Sequence, residues 1–176
     1  MISKILLRAI GAVILLFAGS LSAHGQQAAQ VERIPIPNSD FPISQGVWVP
    51  AGYDTLYLSG SIPPLANPEA PKGSTQAYGD TQTQTVAVLK RIEQTLMAAK
   101  LSFGDVVMMH VYLVGDPAKE GKLDFAGFMA GYSQFFGTKT QPNRPARSAM
   151  QVAALAAPGA LIEIEVIAVR RHSADH

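Results

Sequence analysis

Two glutamates near the end of the chain could act as general bases. Residues 161–169 read Leu-Ile-Glu-Ile-Glu-Val-Ile-Ala-Val, so Glu163 and Glu165 share one face of a predicted strand, and apolar side chains share the other. Two interpretations are open. Both glutamates could lie on a solvated face, which is the commoner arrangement, or one could face a pocket or subunit boundary and activate water.

Arg147 is the second candidate, at the mouth of the preceding β-prone segment. An arginine in such a place can hold a substrate carboxylate through two charge-assisted hydrogen bonds. A simple surface arginine is the commoner outcome, because most arginines stay exposed. Taken alone, Arg147 is therefore a hypothesis for a ligand-binding residue.

Other reactive side chains give weaker signals. His110 lies within an apolar stretch, which favours a structural histidine over a catalytic one. His172 and His176 with Asp175 are too sparse for a dedicated metal site. The chain has no cysteine, which excludes thiol chemistry and cysteine-ligated metals.

Five β-prone segments should position these residues. They are short runs of apolar and β-branched side chains at 46–49, 55–59, 106–114, 147–154 and 161–169. A turn-rich link, Pro50–Asp54, separates the first two, which we expect to pair antiparallel. Segment 106–114 is almost continuously apolar, as expected of a central strand.

Two segments have the apolar periodicity of helices. The first runs from about Thr81 to Lys100 with Asp80 as its N-cap, and the second from about Leu123 to Phe136 with Gly137 as its C-cap. The resulting order, β-β-α-β-α-β-β, predicts an α+β fold. We expect a mostly antiparallel or mixed sheet with both helices on one face.

The N-terminus is typical of an export signal. Residues 1–25 combine Lys4 and Arg8, an apolar core and the small-x-small sequence Ala23-His24-Gly25. The apolar run is well short of the roughly 20 residues that span a bilayer, so we expect an exported protein, periplasmic or secreted, without stable membrane insertion. The predicted organisation is a signal peptide at 1–25, a flexible linker at 26–42, one domain at 43–171 and a tail at 172–176.

The charge balance gives no basis for a nucleic-acid partner. The full chain has a formal net charge of +1 at pH 7. Removal of residues 1–25 reduces the 14 basic residues to 12, against 13 acidic ones, which leaves −1. We therefore expect no electrostatic attraction to DNA, RNA or anionic membranes.

Several of these segments together resemble the Rid (RidA/YjgF) family of enamine/imine deaminases. The resemblance extends from about Gln45 to Arg171 and is most specific in Pro145-Ala146-Arg147-Ser148 combined with the Glu163 strand. The other matching segments are Ser59-Gly60-Ser61-Ile62-Pro63, Gly104-Asp105-Val106-Val107 and the helical segment Phe125–Tyr132.

The resemblance implies a chorismate-mutase-like fold assembled as a homotrimer, with three pockets at subunit boundaries. It implies hydrolysis of reactive enamines or small 2-imino acids to 2-keto acids and ammonia, without metal or organic cofactor. By this resemblance Arg147 holds the substrate carboxylate, Glu163 orients or deprotonates the attacking water, and Ser59 with the Gly60 backbone lines the pocket. These roles suit the reaction, because adding water to a C=N bond needs an anchor for the acid and a base near the carbon.

Three positions depart from the family pattern. Ala149 stands where deaminases of the family typically have a cysteine. Ile43 or Ser44 falls near the position of a pocket tyrosine in those proteins, and Met129 stands where an asparagine is usual. These changes leave fewer polar side chains in the lining of the pocket. An alternative is therefore a trimeric binding or protective module that retains the fold and the carboxylate pocket without turnover, and a third possibility is a purely structural trimer.

Overall fold

The computed structural model describes residues 29–172. The predicted signal peptide and the last four residues of the tail lie outside this range. Within it, no helix is long and apolar enough to cross a membrane.

Six strands form one mixed sheet, in the order β1-β2-β5-β4-β6-β3. The strands are β1 (Glu32–Pro35), β2 (Ser44–Trp48), β3 (Tyr53–Ser61), β4 (Val106–Val114), β5 (Ala146–Val152) and β6 (Ile162–Arg171). β5 pairs parallel with β2 and β4, and all other neighbours pair antiparallel. The mixed sheet and the central place of β4 confirm the predictions.

Two helices cover one face of this sheet. α1 (Thr81–Ala98) and α2 (Phe125–Tyr132) contribute buried side chains to the same apolar core as β4 and β6. The side chains of β6 alternate between the two faces of the sheet, as expected. Ile162 and Ile164 are buried against the helices, while Glu163 and Glu165 lie on the opposite face. The side of the sheet away from the helices is called the open face below.

The second helix is shorter than predicted. We expected it to reach Phe136 with Gly137 as C-cap, but it ends at Tyr132 with Ser133 as the cap residue. Phe136 lies in the turn that follows, buried and stacked on Tyr132, with ring centroids 4.9 Å apart. The aromatic spacing in the sequence extends beyond the end of the helix because Phe136 packs into the core from the following turn.

The predicted antiparallel pairing of β2 with β3 is wrong. β3 pairs with β6 instead, and β2 pairs with β1. β1 lies in the segment 26–42, which was predicted to be a flexible linker, so that prediction is also wrong for Glu32–Pro35. A short edge strand tolerates proline, which explains how Pro35 and Pro37 masked it in the sequence.

The N-cap of α1 provides a first test of the fold. Asp80 Oδ1 accepts a hydrogen bond from the Thr83 backbone N–H at 2.8 Å, and this bond lowers the pKa of the carboxyl below its ordinary value of 3.8. We expect Asp80→Ala to reduce the free energy of unfolding by about 1 kcal/mol at pH 7, and Asp80→Asn to reduce it less, because asparagine also caps helices.

Urea denaturation at pH 7 and at low pH measures this effect. Because the folded-state pKa is lowered, the ionised carboxylate stabilises the fold above about pH 4, and that contribution is lost as the pH falls through the folded-state pKa. The difference between wild type and Asp80→Ala should therefore shrink in acid. An equal difference at both pH values would contradict the capping role of the carboxylate.

Candidate active site

The Arg147 side chain lies on the helix side of the sheet. In the β4–β5 ladder Arg147 pairs with Met109, which is fully buried in the core. The guanidinium carbon lies 4.3 Å from the ring centroid of Tyr132, 4.8 Å from that of Phe128 and 5.4 Å from that of Phe41. Three aromatic rings therefore surround the cation, an arrangement that attracts positive charge.

The hydrogen bonding of this guanidinium is incomplete. Nη2 contacts the Met129 sulfur at 3.4 Å, and Nη1 is buried without a hydrogen-bond partner among residues 29–172. Burial lowers the pKa of Arg147, yet a guanidinium stays charged at neutral pH. Because buried donors are normally paired, Nη1 points to a missing acceptor.

Glu163 lies on the open face, beside Gly60. It pairs with Tyr112 across β4 and β6, and its carboxylate occupies the space where a side chain at position 60 would start. Ser59 is exposed in the same irregular part of β3, between Leu58 and Ser61. Gly60, whose backbone the resemblance places in the pocket lining, therefore lies against the Glu163 carboxylate.

Arg147 and Glu163 are not brought together within one chain. Arg147 shares the helix side with buried Met109, whereas Glu163 shares the open face with Tyr112. The sheet itself separates the two side chains. A site that uses both residues needs Glu163 from one copy and Arg147 from another.

The other predicted pocket residues lie near Arg147. Ile43 lines the same open cavity as Arg147, about 420 Å³ in volume. Ala149 follows on the same side of β5 and is exposed. A larger cavity of about 450 Å³ includes neither Arg147 nor Glu163.

A hydrogen-bonded cluster distinguishes the two glutamates of β6. Glu165 Oε1 contacts His110 Nδ1 at 2.8 Å and accepts from the Tyr112 hydroxyl at 3.0 Å, which raises the pKa of that phenol. Glu163 has no such partner in the described part of the chain. The sequence carried a signal that we missed, because His110 and Tyr112 have the same two-residue spacing as the glutamates.

No metal-binding group is evident at the candidate site. Across residues 29–172 there is no cluster of three or more histidines, aspartates or glutamates that could hold a metal ion. The functional groups of the candidate site are the caged guanidinium of Arg147 and the carboxylate of Glu163, which has no hydrogen-bond partner among residues 29–172. Such a pair can bind an anion and accept a proton.

Gly60 permits a second prediction. Because a Cβ at this position would collide with the Glu163 carboxylate, we expect Gly60→Ala to displace that group and reduce turnover about tenfold or more, in keeping with the sensitivity of catalysis to misplacement. Steady-state kinetics measure this, with Gly46→Ala as the control. A Cβ at Gly46 meets only the Ile34 side chain at 3.6 Å. Equal activities of the two variants would contradict the prediction.

Comparison with known proteins identifies close similarity to one family. Residues 37–170 match the family described as Endoribonuclease L-PSP. A RutC family protein of Saccharolobus solfataricus is 39% identical over 137 residues, which cover 78% of this chain and 92% of that protein. Escherichia coli TdcF, which its name places among reactive intermediate deaminases, is 33% identical over 140 residues, covering 80% of this chain and 95% of TdcF.

Solved structures show the same fold. A Rid family protein of Yersinia pestis superposes with a TM-score of 0.60 at 26% identity, covering 80% of this chain and 98% of that one. E. coli TdcF with bound serine gives a TM-score of 0.52 at 33% identity, covering 80% and 97%. The E. coli YjgF gene product gives 0.52 at 34% identity, covering 77% and 93%. The predicted YjgF-like, chorismate-mutase-like α+β fold is confirmed.

Proposed function

This chain belongs to the Endoribonuclease L-PSP family, also known as Rid or YjgF, and on this premise we propose that it hydrolyses 2-imino acids to 2-keto acids and ammonia. The observation that carries the proposal is the Arg147 guanidinium, which is caged by aromatic rings and whose buried Nη1 has no hydrogen-bond partner among the residues that the structure describes. A substrate carboxylate would supply the missing acceptor. The deaminase name of TdcF and the serine bound to it, an amino acid with a carboxylate, support this choice.

The working unit in this proposal is a homotrimer with pockets between copies. Its support is that Arg147 and Glu163 lie on opposite sides of the sheet and could meet only across a subunit boundary. The open face also exposes apolar area, since Tyr57 is 74% and Met150 43% exposed. Exposed apolar patches of this kind commonly mark association surfaces.

The proposed reaction needs only these side chains and water. Arg147 of one copy holds the carboxylate through two N–H donors, which positions the imine carbon. Glu163 of the next copy accepts a proton from water as the oxygen adds to that carbon. Glu163 returns that proton to the nitrogen, and it then transfers the proton of the new hydroxyl to the same nitrogen as the C–N bond breaks, which releases ammonia and the 2-keto acid.

Export is a further part of the proposal. The pattern of residues 1–25 supports action in the periplasm or outside the cell, on substrates present there. Fractionation of cells that produce the full chain tests this. We expect a product shortened by about 25 residues outside the cytoplasm, and a full-length cytoplasmic product would contradict export.

Ammonia release from 2-iminopropionate tests the enzymatic activity. The imine is generated in place from L-alanine by an amino-acid oxidase, and release is compared with and without the mature protein. We expect clear acceleration over buffer. No acceleration would reject the deaminase, and tight binding of pyruvate that depends on Arg147 would then favour the carboxylate-binding module, for which Met129 and Ala149 are the sequence evidence.

A further inference from the structure

The unpaired nitrogen of Arg147 is covered in this structure. Nη1 is buried and has no hydrogen-bond partner among residues 29–172, while Nη2 contacts the Met129 sulfur at 3.4 Å. A buried donor of this kind is normally paired, so Nη1 is the place for an incoming acceptor. Because the nitrogen is covered, a carboxylate can reach it only after one of the surrounding groups has moved.

Of the three rings around the cation, Phe41 is the one that can move aside. Phe128 and Tyr132 are fully buried, and the Tyr132 ring also stacks on buried Phe136. Phe41 is 37% exposed and lies in the link between β1 and β2. Side chains in a packed core have little room to move, whereas exposed side chains change rotamer within nanoseconds. The access route to Nη1 therefore leads past Phe41.

The backbone around Phe41 is fixed, so this movement is a rotation of the side chain. The Phe41 carbonyl accepts hydrogen bonds from the Ile43 N–H at 2.8 Å and from Arg144 Nη1 at 3.3 Å. The next carbonyl, that of Pro42, accepts from the Tyr132 hydroxyl at 2.8 Å. These bonds hold the start of the ring's side chain in place beside the cage.

Phe125 offers the displaced ring a neighbouring surface. It is the first residue of α2, is 41% exposed and is not one of the three rings that surround Arg147. Its ring stacks on that of Phe41, with centroids 6.5 Å apart and an angle of 18° between the planes. Stacked aromatic pairs at such distances attract each other. Phe41 thus lies between a buried cation and an exposed ring.

We propose that Phe41 is a further residue of the binding site and acts as its gate: the ring covers the guanidinium in the free protein, and a substrate carboxylate takes its place. This inference rests on the anchoring by Arg147 in the proposed function. The ring and the carboxylate compete for one cation, the first through a cation–π contact and the second through hydrogen bonds. Since only the open arrangement binds, the closed one weakens the apparent affinity.

Chemical modification of arginine tests the gate without a ligand. Phenylglyoxal, a dicarbonyl that reacts with guanidinium groups, is added to the mature wild type and to Phe41→Ala, and modification of Arg147 is followed by mass spectrometry. We expect Phe41→Ala to increase the rate at Arg147 by about tenfold, because the cation–π contact that favours the closed arrangement is lost. Exposed Arg91 is the internal reference and should react equally in both proteins. Equal rates at Arg147 would overturn the gate.

Phe125→Ala is the matched control variant. It removes a phenylalanine of similar exposure that lies outside the cage, so we expect the rate at Arg147 to change by less than about threefold. An increase as large as that in Phe41→Ala would show a general loosening of the segment and would reject the proposal. Thermal unfolding checks that the variants are folded. If Phe41→Ala is not, Phe41→Leu takes its place, because it also removes the ring.

Pyruvate binding connects the gate with the proposed function. Stopped-flow measurements should give an association rate constant about tenfold higher for Phe41→Ala than for wild type, with dissociation changed by less than about threefold, because the gate acts on the free protein. Association that is no faster in Phe41→Ala would count against the gate. If neither protein binds pyruvate, the anchoring in the proposed function fails, whereas the phenylglyoxal rates still decide whether Phe41 covers Arg147.

Discussion

Arg147→Ala is expected to lower kcat/KM for 2-iminopropionate by about 100-fold or more. The substitution removes the cation that anchors the carboxylate, and each hydrogen bond to a charged group contributes about 1.5 to 3 kcal/mol. Since about 1.4 kcal/mol corresponds to a factor of ten, two such bonds suffice for this loss. Steady-state ammonia release measures it, and pyruvate binding should weaken in parallel.

Two arginine variants give the controls. Arg147→Lys keeps the charge but loses the two-pronged geometry, so we expect an intermediate activity. Arg91→Ala removes an exposed arginine of α1 and should leave kcat/KM unchanged. Wild-type activity in Arg147→Ala would contradict the anchoring role. Thermal unfolding checks that Arg147→Ala stays folded, because the change also removes the packing of the guanidinium against Phe41, Phe128 and Tyr132.

Glu163→Gln is expected to lower kcat by about 100- to 10,000-fold, the usual contribution of a general base. The amide keeps the size and shape of the side chain beside Gly60 but cannot accept the proton from water. Binding of pyruvate should change by less than about threefold, because Arg147 carries the anchoring. Separate measurements of kcat and of product affinity distinguish this pattern from that of Arg147→Ala.

Glu165→Gln is the matched control for this change. The residue lies on the same face of β6, two positions away, but its carboxylate already contacts His110 and Tyr112. We expect a modest loss of stability and a change in kcat of less than about threefold, because partly exposed polar contacts contribute little. If Glu165→Gln abolished turnover while Glu163→Gln retained it, the two roles would have to be exchanged.

Periodicity within one segment was enough to predict the elements that carry the site. The helix capped by Asp80, the central strand β4 and the alternating strand β6 are all where local patterns placed them. These patterns report burial on one side of an element, which is a local property. They also showed that Glu163 and Glu165 share a face.

Strand pairing and the geometry of the site depend on distant residues and were not predictable in this way. β2 was assigned the wrong partner because β1 lay hidden in a proline-punctuated segment. The cage of Arg147 combines Phe41, more than 100 positions upstream, with Phe128 and Tyr132 of α2. The alternation of polar and apolar residues within β5 does not show which of its side chains face the helices. The separation of Arg147 from Glu163 by the sheet was therefore visible only in the structure.

The proposed pocket between copies is tested most directly by mixing two inactive variants. Arg147→Ala and Glu163→Gln are unfolded together in equal amounts, refolded and assayed for ammonia release from 2-iminopropionate. If subunits assort randomly, about a quarter of the pockets combine an intact Arg147 with an intact Glu163 of the next copy. We predict recovery of about a quarter of wild-type activity, and activity no greater than that of the separate variants would contradict the shared site.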